Sequence, residues 1–216
     1  MTIYRLTKEL VFPPPELADD DGLLAVGGNL SVDRLVLAYS MGIFPWYSGK
    51  SPILWWSPDP RLILFPKELK VTRSLQQTIK KDIYHVTTNA AFEDVIRNCA
   101  TITRKGEDGT WITDDMIQAY IRLHKAGYAH SAEAWDGDEL AGGLYGIIMG
   151  KAFFGESMFA KKSDASKVAF ATYATTLAEK GFELIDCQIT TAHMERFGAR
   201  EISRTEFMKH LENAIQ

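Results

Sequence analysis

Cysteine is scarce in this chain. Only Cys99 and Cys187 occur among 216 residues, which excludes a disulfide-stapled fold and suits reduced thiols in the cytoplasm. A run of about 18 apolar residues is missing, so no membrane-spanning helix is expected. The opening Met1-Thr2-Ile3-Tyr4-Arg5 lacks the apolar core and cleavage site of a secretory leader. Histidine and cysteine never cluster at metal-ligand spacing: His124 and His130 stand six apart and His193 alone. No metal and no other cofactor is expected. Internal repeats and low-complexity tracts are also missing.

A net excess of basic charge is lacking too. The formal charge is −4, which argues against nucleic acid until its distribution is read. Residues 61–81 carry six basic groups (Arg61, Lys67, Lys70, Arg73, Lys80, Lys81) against Glu68 alone. A solvated helix face has this composition. So has a strip that docks phosphates by releasing their counterions.

What is present is ample apolar material, 46% of the chain, enough for a real core. Residues 1–60 are rich in proline, glycine and aromatic rings and read as packed loop and short strand, not linker. Ser31 is placed to cap a helix through Ser40, with Gly42 beyond it. Thr72 caps a segment to about Lys81, and Asn89 one from Ala90 to about Cys99. Thr113 caps a helix from Asp114 to Ala126, and Ser203 with Glu206 forms a capping box. From Ala129 the period changes to that of strands. His130 to Trp135, Glu139 to Met149 and Lys151 to Met158 should form an antiparallel meander around Asp136-Gly137-Asp138 and Gly150. A helix from Ser166 to Lys180 then leads to a strand, Phe182 to Ile189, by a right-handed parallel crossover. The fold expected is α+β: a small N-terminal domain over residues 1–62, then an N-acetyltransferase-like (GNAT) mixed-sheet domain over 63–216.

Three polar residues stand out against apolar strands. Glu156 ends one of them, and such a carboxylate is costly to bury without partners. Asp186 and Gln188 lie two apart and so share a strand face. In the layout above they neighbour Glu156 beyond the carboxyl ends of adjacent strands, where α/β folds bind ligands. Lysines 161, 162 and 167 flank a helix start suited to an anion. The glycine pattern of a pyrophosphate loop is lacking, which counts against coenzyme A.

Several segments together resemble one family. They are Gly22-Leu23-Leu24-Ala25-Val26-Gly27-Gly28-Asn29-Leu30-Ser31, Gly42-Ile43-Phe44-Pro45-Trp46, and Pro52-Ile53-Leu54-Trp55-Trp56-Ser57-Pro58-Asp59-Pro60-Arg61. Gly109-Thr110-Trp111-Ile112-Thr113, Ala129-His130-Ser131, Gly155-Glu156-Ser157-Met158-Phe159 and Leu184-Ile185-Asp186-Cys187-Gln188 complete the set. In this order they resemble the leucyl/phenylalanyl-tRNA–protein transferases over nearly the whole chain. The resemblance implies an aminoacyltransferase that moves Leu, Phe or Met from aminoacyl-tRNA to the N-terminal Arg or Lys of an acceptor protein. The product is thereby marked for N-end-rule degradation. Neither metal nor ATP is implied, because the tRNA ester is already activated. The chain is expected to act in the cytoplasm as a monomer with no membrane partner.

Residue by residue, the resemblance assigns Asp186, Gln188 and Glu156 to catalysis. Trp46, Trp111 and Tyr120 match the aminoacyl-adenosine site. Leu144, Phe153, Phe170, Tyr173 and Leu177 match the aminoacyl side-chain pocket, although an ordinary core stripe shows the same spacing. Lys67, Lys70, Arg73, Lys80 and Lys81 would contact tRNA. Thr191 and Asp164 stand where the family commonly has Asn, and a longer C-terminal tail seen in some members is missing after Gln216. Two rivals stand beside this reading: an acyl-CoA-dependent N-acyltransferase of the same fold, and a non-catalytic tRNA- or peptide-binding module.

If the basic strip docks tRNA, reversing Lys80 and Lys81 to Glu should weaken binding of Phe-tRNA and flatten its salt dependence by about two ion contacts. Filter binding from about 50 to 200 mM salt measures this. An unchanged slope and affinity would remove the strip from the interface.

Overall fold

Capping side chains set most of the helix starts. The computed structural model describes residues 3–49, 51–102 and 111–216. Met1, Thr2, Gly109 and Thr110, singled out above, lie outside the described residues. Helix α1 (Val32–Ser40) begins where the Ser31 side chain accepts from the Arg34 amide, and α2 (Arg73–Lys80) where Thr72 accepts from Leu75. Helix α3 (Phe92–Thr101) departs from expectation, because Asn89 does not cap it. Asn89 takes a left-handed φ of 59°, and its side-chain oxygen accepts from the Ser131 amide. The buried carboxylate of Glu133 instead accepts from the Ala90 and Ala91 amides, at 3.5 and 3.4 Å. A distant carboxylate replaces the local cap and complements the helix dipole. Thr113 caps α4 (Asp114–Lys125), with Asp114 and Asp115 in the first turn and Arg122, His124 and Lys125 in the last. Helix α5 (Ala165–Glu179), the short α6 (Ala192–Glu195) and α7 (Arg204–Ile215) follow. Among the described residues no helix is long and apolar enough to cross a membrane.

Two sheets result. The smaller holds β1 (Tyr4–Leu6), β2 (Leu23–Gly27), β3 (Phe44–Pro45) and β4 (Leu54–Trp56), in the order β1-β2-β4-β3. The larger contains β5 (Arg61–Leu64), β6 (His85–Thr88), β7 (Ala129–Asp136), β8 (Glu139–Met149), β9 (Ala152–Ala160), β10 (Leu184–Gln188) and β11 (Arg200–Ile202). Its order is β11-β5-β10-β9-β8-β7-β6. β7, β8 and β9 are the expected antiparallel meander, and α5 crosses from β9 to a parallel β10. β5 then slots in antiparallel between β10 and β11. A division at residue 62 falls inside β5. The two parts also share one apolar core, in which Tyr39 and Trp55 pack with Ile63, Phe154 and Phe207.

Strand alternation gives the large sheet two buried faces. Leu62, Leu64, Leu144, Phe153 and Ile185 face α5, while Ile63, Tyr145 and Phe154 face the core shared with the smaller sheet. A bulge between Tyr145 and Gly146 brings Gly146 opposite Gly155. A Cβ on Gly146 would lie 2.2 Å from the Phe154 carbonyl oxygen and 2.4 Å from the Phe153 ring. Glycine there lets Phe153 lie flat against the strand.

Gly146→Ala should therefore overpack this corner, at about 1–3 kcal/mol. For a chain of this size that is a fall in Tm of roughly 2–12 °C in a thermal melt. An unchanged Tm would show that the corner opens at no cost.

Candidate active site

β9 and β10 stay paired only as far as Phe154 and Asp186. Beyond that point β9 runs on along β8, while Gln188 turns away with φ 64°. The gap opens into a cavity of about 410 Å³. Its apolar wall includes Phe44, Leu144, Phe153, Met158, Phe170, Ile185 and Met194, and Glu156 and Gln188 reach the same space. Trp46 and Trp111 line it too, and they also line an adjoining recess of about 320 Å³ with Tyr47, Ser48 and Trp56.

Glu156 is buried at the edge of this cavity. Its Oε1 accepts from Gln188 Nε2 at 2.9 Å, and its Oε2 from the Tyr120 hydroxyl at 2.9 Å. The Tyr39 and Tyr120 hydroxyls are themselves hydrogen-bonded. Burial pushes the Glu156 carboxyl up to about 7, and the negative Asp186 adds to this; the tyrosine hydroxyls and Gln188 oppose the rise. Both tyrosine hydroxyls are held well above their ordinary value by burial and by Glu156, so they remain donors.

Asp186 lies behind the cavity wall, fully buried. Its Oδ1 accepts from Arg61 Nε at 2.9 Å and from the Gln188 amide at 2.9 Å, and its Oδ2 accepts from Arg61 Nη2 at 2.7 Å. Arg61 is 1% exposed. It therefore leaves the basic strip in which its charge was counted. Lys67, Lys70, Arg73, Lys80 and Lys81 are exposed.

Not every anticipated residue reaches the cavity. Leu144, Phe153 and Phe170 line it; Tyr173 and Leu177 do not. Tyr173 packs edge-on against Phe153, at 5.2 Å between centroids, and so supports the wall from behind. Tyr120 is fully buried and offers no free face to a nucleobase; its hydroxyl serves Glu156 instead. Trp46 is 38% exposed and does present a ring to the surface. The loop before α5 is no open anion cradle. Lys162 pairs with Asp136 and Glu139, and Lys167 with Asp164. The helix start is also pressed onto Gly142, where a Cβ would meet the Ser166 amide nitrogen at 2.8 Å.

Sequence reasoning did not single out Tyr39, Phe44 or His193. His193 lines the cavity; burial lowers its imidazole below the ordinary value, as do Lys167 and Arg196 nearby. The one available signal was for Arg61, a lone cation heading the apolar run Leu62-Ile63-Leu64.

Together these features make a site that holds an apolar group in a hole. A positioned amide and a carboxylate stand at its edge, and flat rings lie outside. Such a site suits group transfer, with the apolar part of a substrate buried and its reacting atoms beside Gln188. The comparisons with known proteins agree in kind. A model of the "Leucyl/phenylalanyl-tRNA protein transferase" family matches residues 63–212, and one of that family's N-terminal domain matches 28–59. The transferase of Syntrophobacter fumaroxidans is 58% identical over 215 residues, covering 100% of this chain and 92% of its own. That of Anaeromyxobacter sp. (strain Fw109-5) is 60% identical, with the same coverage. Among solved structures, a conserved protein of unknown function from Bacteroides thetaiotaomicron aligns with TM-score 0.47 at 11% identity, over 71% of this chain and 55% of that one. The chain belongs to the leucyl/phenylalanyl-tRNA–protein transferase family.

The raised Glu156 carboxyl makes a prediction about stability. Its folded value lies above the ordinary value of 4.5, so the folded state binds the extra proton. Glu156 then weakens the fold increasingly as pH rises from about 4.5 to about 7, and the penalty is relieved on acidification. Relative to the parent, Glu156→Gln should gain on the order of 3 kcal/mol across that window. Urea titrations at about pH 5 and 8 measure it; a pH-independent difference would contradict the burial argument.

Proposed function

We propose that this chain transfers Leu, Phe or Met from aminoacyl-tRNA to the N-terminal Arg or Lys of an acceptor protein, marking it for degradation. Family membership supports the reaction class. The observation that carries the site is the contact between Gln188 and Glu156 at the edge of an apolar cavity. The meander, the crossover and the parting of β9 from β10 support an N-acetyltransferase-like reading of the larger sheet and its helices, with residues 1–62 as a smaller unit.

The acyl side chain enters the apolar hole against Leu144, Phe153 and Phe170. A hydrophobic pocket separates side chains differing by one methylene by only about 1–3 kcal/mol, so tolerance among Leu, Phe and Met follows. The terminal adenine stacks on Trp46 and Trp111, worth about 1–3 kcal/mol per base. The acceptor's cationic side chain pairs with Glu156. Asp186 is already satisfied by Arg61, so sharing that cation is not its task; it holds Gln188. The acceptor amine, with a pKa near 8, is partly neutral at working pH. Gln188 spends its N–H on Glu156 and offers its amide oxygen to that amine. The amine nitrogen attacks the ester carbon, the C–N bond forms and the ester C–O bond to the tRNA ribose breaks. An amide is too weak a base to keep the proton. It passes through solvent or substrate groups to the departing ribose oxygen. Positioning of this kind supplies several kcal/mol of barrier lowering.

The occupied helix start before α5 counts against acyl-CoA as donor. The two thiols, not joined in a disulfide, support a cytoplasmic location, and we take the monomer as the working unit.

Incubation with Phe-tRNA and an Arg-initiated peptide should give the Phe-Arg product. Transfer from acyl-CoA alone, or binding without product, would overturn the proposal. Asp186→Ala should lower turnover more than tRNA binding, but it strands the buried Arg61. Gln188→Ala is the cleaner variant. It should lower kcat by roughly 100-fold with Phe-tRNA affinity little changed; equal losses in both would take Gln188 out of the chemistry.

A further inference from the structure

We propose that Arg61 is a positioning residue for the transfer step, holding Asp186 so that Asp186 can fix the turn that carries Gln188 to the cavity. This rests on the role given to Gln188 above.

Gln188 adopts φ 64°, a left-handed conformation that a non-glycine residue keeps only where its surroundings enforce it. The enforcing contact is the Gln188 amide on Asp186 Oδ1, at 2.9 Å. Asp186 in turn is gripped by the Arg61 fork, Nε on one oxygen at 2.9 Å and Nη2 on the other at 2.7 Å. The guanidinium lies between two rings, 4.8 Å from the Phe44 centroid and 4.6 Å from that of Phe207. Phe44 is also a wall of the cavity, and Phe207 belongs to α7. Thus β5, β3, α7 and β10 meet at one planar cation.

Lysine cannot reproduce this arrangement. Its ammonium is a point charge without the planar fork or the stacking surface. Arg61 also has an electrostatic effect. His193 of α6 lines the same cavity, and the groups that shift the Glu156 carboxyl are Tyr39 from α1, Tyr120 from α4, and Gln188 and Asp186 from β10. None of them is a cation. Among the described residues Arg61 is the cation paired with Asp186, whose negative charge raises the Glu156 carboxyl.

The test compares Arg61→Lys, Arg61→Met, Asp186→Asn and Gln188→Ala with the parent. Single-turnover Phe transfer to an Arg-initiated peptide, Phe-tRNA binding and thermal melts are measured from about pH 5.5 to 9. Arg61→Lys should lower turnover by about 100-fold, as a misplacement near 1 Å does, with Phe-tRNA affinity within about threefold. Its thermal melt should keep the parental pH dependence, because the charge remains. Arg61→Met should lose turnover similarly and lose stability increasingly as pH rises, because the buried Asp186 carboxylate then ionises without its partner. A purely structural role would lower Phe-tRNA affinity together with turnover in Arg61→Lys. Should the Arg61 variants fail to fold, Asp186→Asn decides. It keeps the shape but weakens the grip, and should lose about tenfold in turnover without loss of tRNA affinity. Parental turnover in Arg61→Lys, or in Asp186→Asn, overturns the inference while Gln188→Ala remains impaired. Parental turnover in Gln188→Ala overturns the reading of the site itself.

Discussion

The ion pair between Arg61 and Asp186 is the constraint around which the rest of the site is arranged. Both side chains are removed from water, at 1% and 0% exposure. Desolvating two such charges costs several kcal/mol per ion, and apolar residues of equal volume often serve stability as well or better. Stability is therefore a poor reason for the pair. What it delivers is direction. The guanidinium fork is planar and fixes the Asp186 carboxylate in one orientation. That carboxylate then dictates where the chain goes after β10.

Two carboxylates close to one another are thus given unlike surroundings. Asp186 meets a guanidinium and a backbone amide. Among the described residues Glu156 meets neutral donors, the Tyr120 hydroxyl and the Gln188 amide among them. The first charge is already answered by the protein, while the second is left, in the function proposed, for the acceptor's cation. Separate environments for paired acids are how sites divide labour between identical functional groups. The difference arises from the fold. β5 supplies the cation on the Asp186 side, and the helices α1 and α4 supply the tyrosines behind Glu156.

Much of this was legible in the chain, and the missing parts have a common cause. Ser31, Thr72, Thr113 and Ser203 announce their helices because a cap bonds an amide only three residues on. The meander and crossover show as changes of period. Asp186 and Gln188 show as polar breaks in an apolar strand. The errors involve partners far apart in sequence. Asn89 looks like a cap, but Glu133, more than forty residues on, does the work. Tyr120 looks like a ring for a base, but Glu156 claims its hydroxyl from 36 residues away. Arg61 counts as one more surface charge until Asp186, 125 residues later, is brought beside it. Tyr173 and Leu177 keep the helical spacing of Phe170, yet spacing cannot tell the cavity wall from the layer behind it. The strands His85–Thr88 and Arg200–Ile202 are short and partly exposed, so their alternation carries little signal.

The cavity lies where the two buried faces of the large sheet come together. Leu144, Phe153, Phe170, Ile185 and Met194 belong to the cluster under α5, while Phe44 and Tyr145 belong to the core shared with the smaller sheet. Within either core the side chains are close-packed and leave few voids larger than a water molecule. At the seam, the turn at Gln188 carries the chain away from β9 where the pairing of β9 and β10 ends. The wall mixes rigid rings with Met158 and Met194, whose unbranched thioethers adapt to different shapes. Such a wall cannot reject one medium-sized apolar side chain in favour of another. It can disfavour a charged one, because the wall of Leu144, Phe153, Phe170 and Ile185 offers a buried charge no partner. In the function proposed, selectivity on the acyl side is therefore a matter of polarity, and on the amine side a matter of charge. The two filters meet at Gln188, which stands between the apolar hole and Glu156.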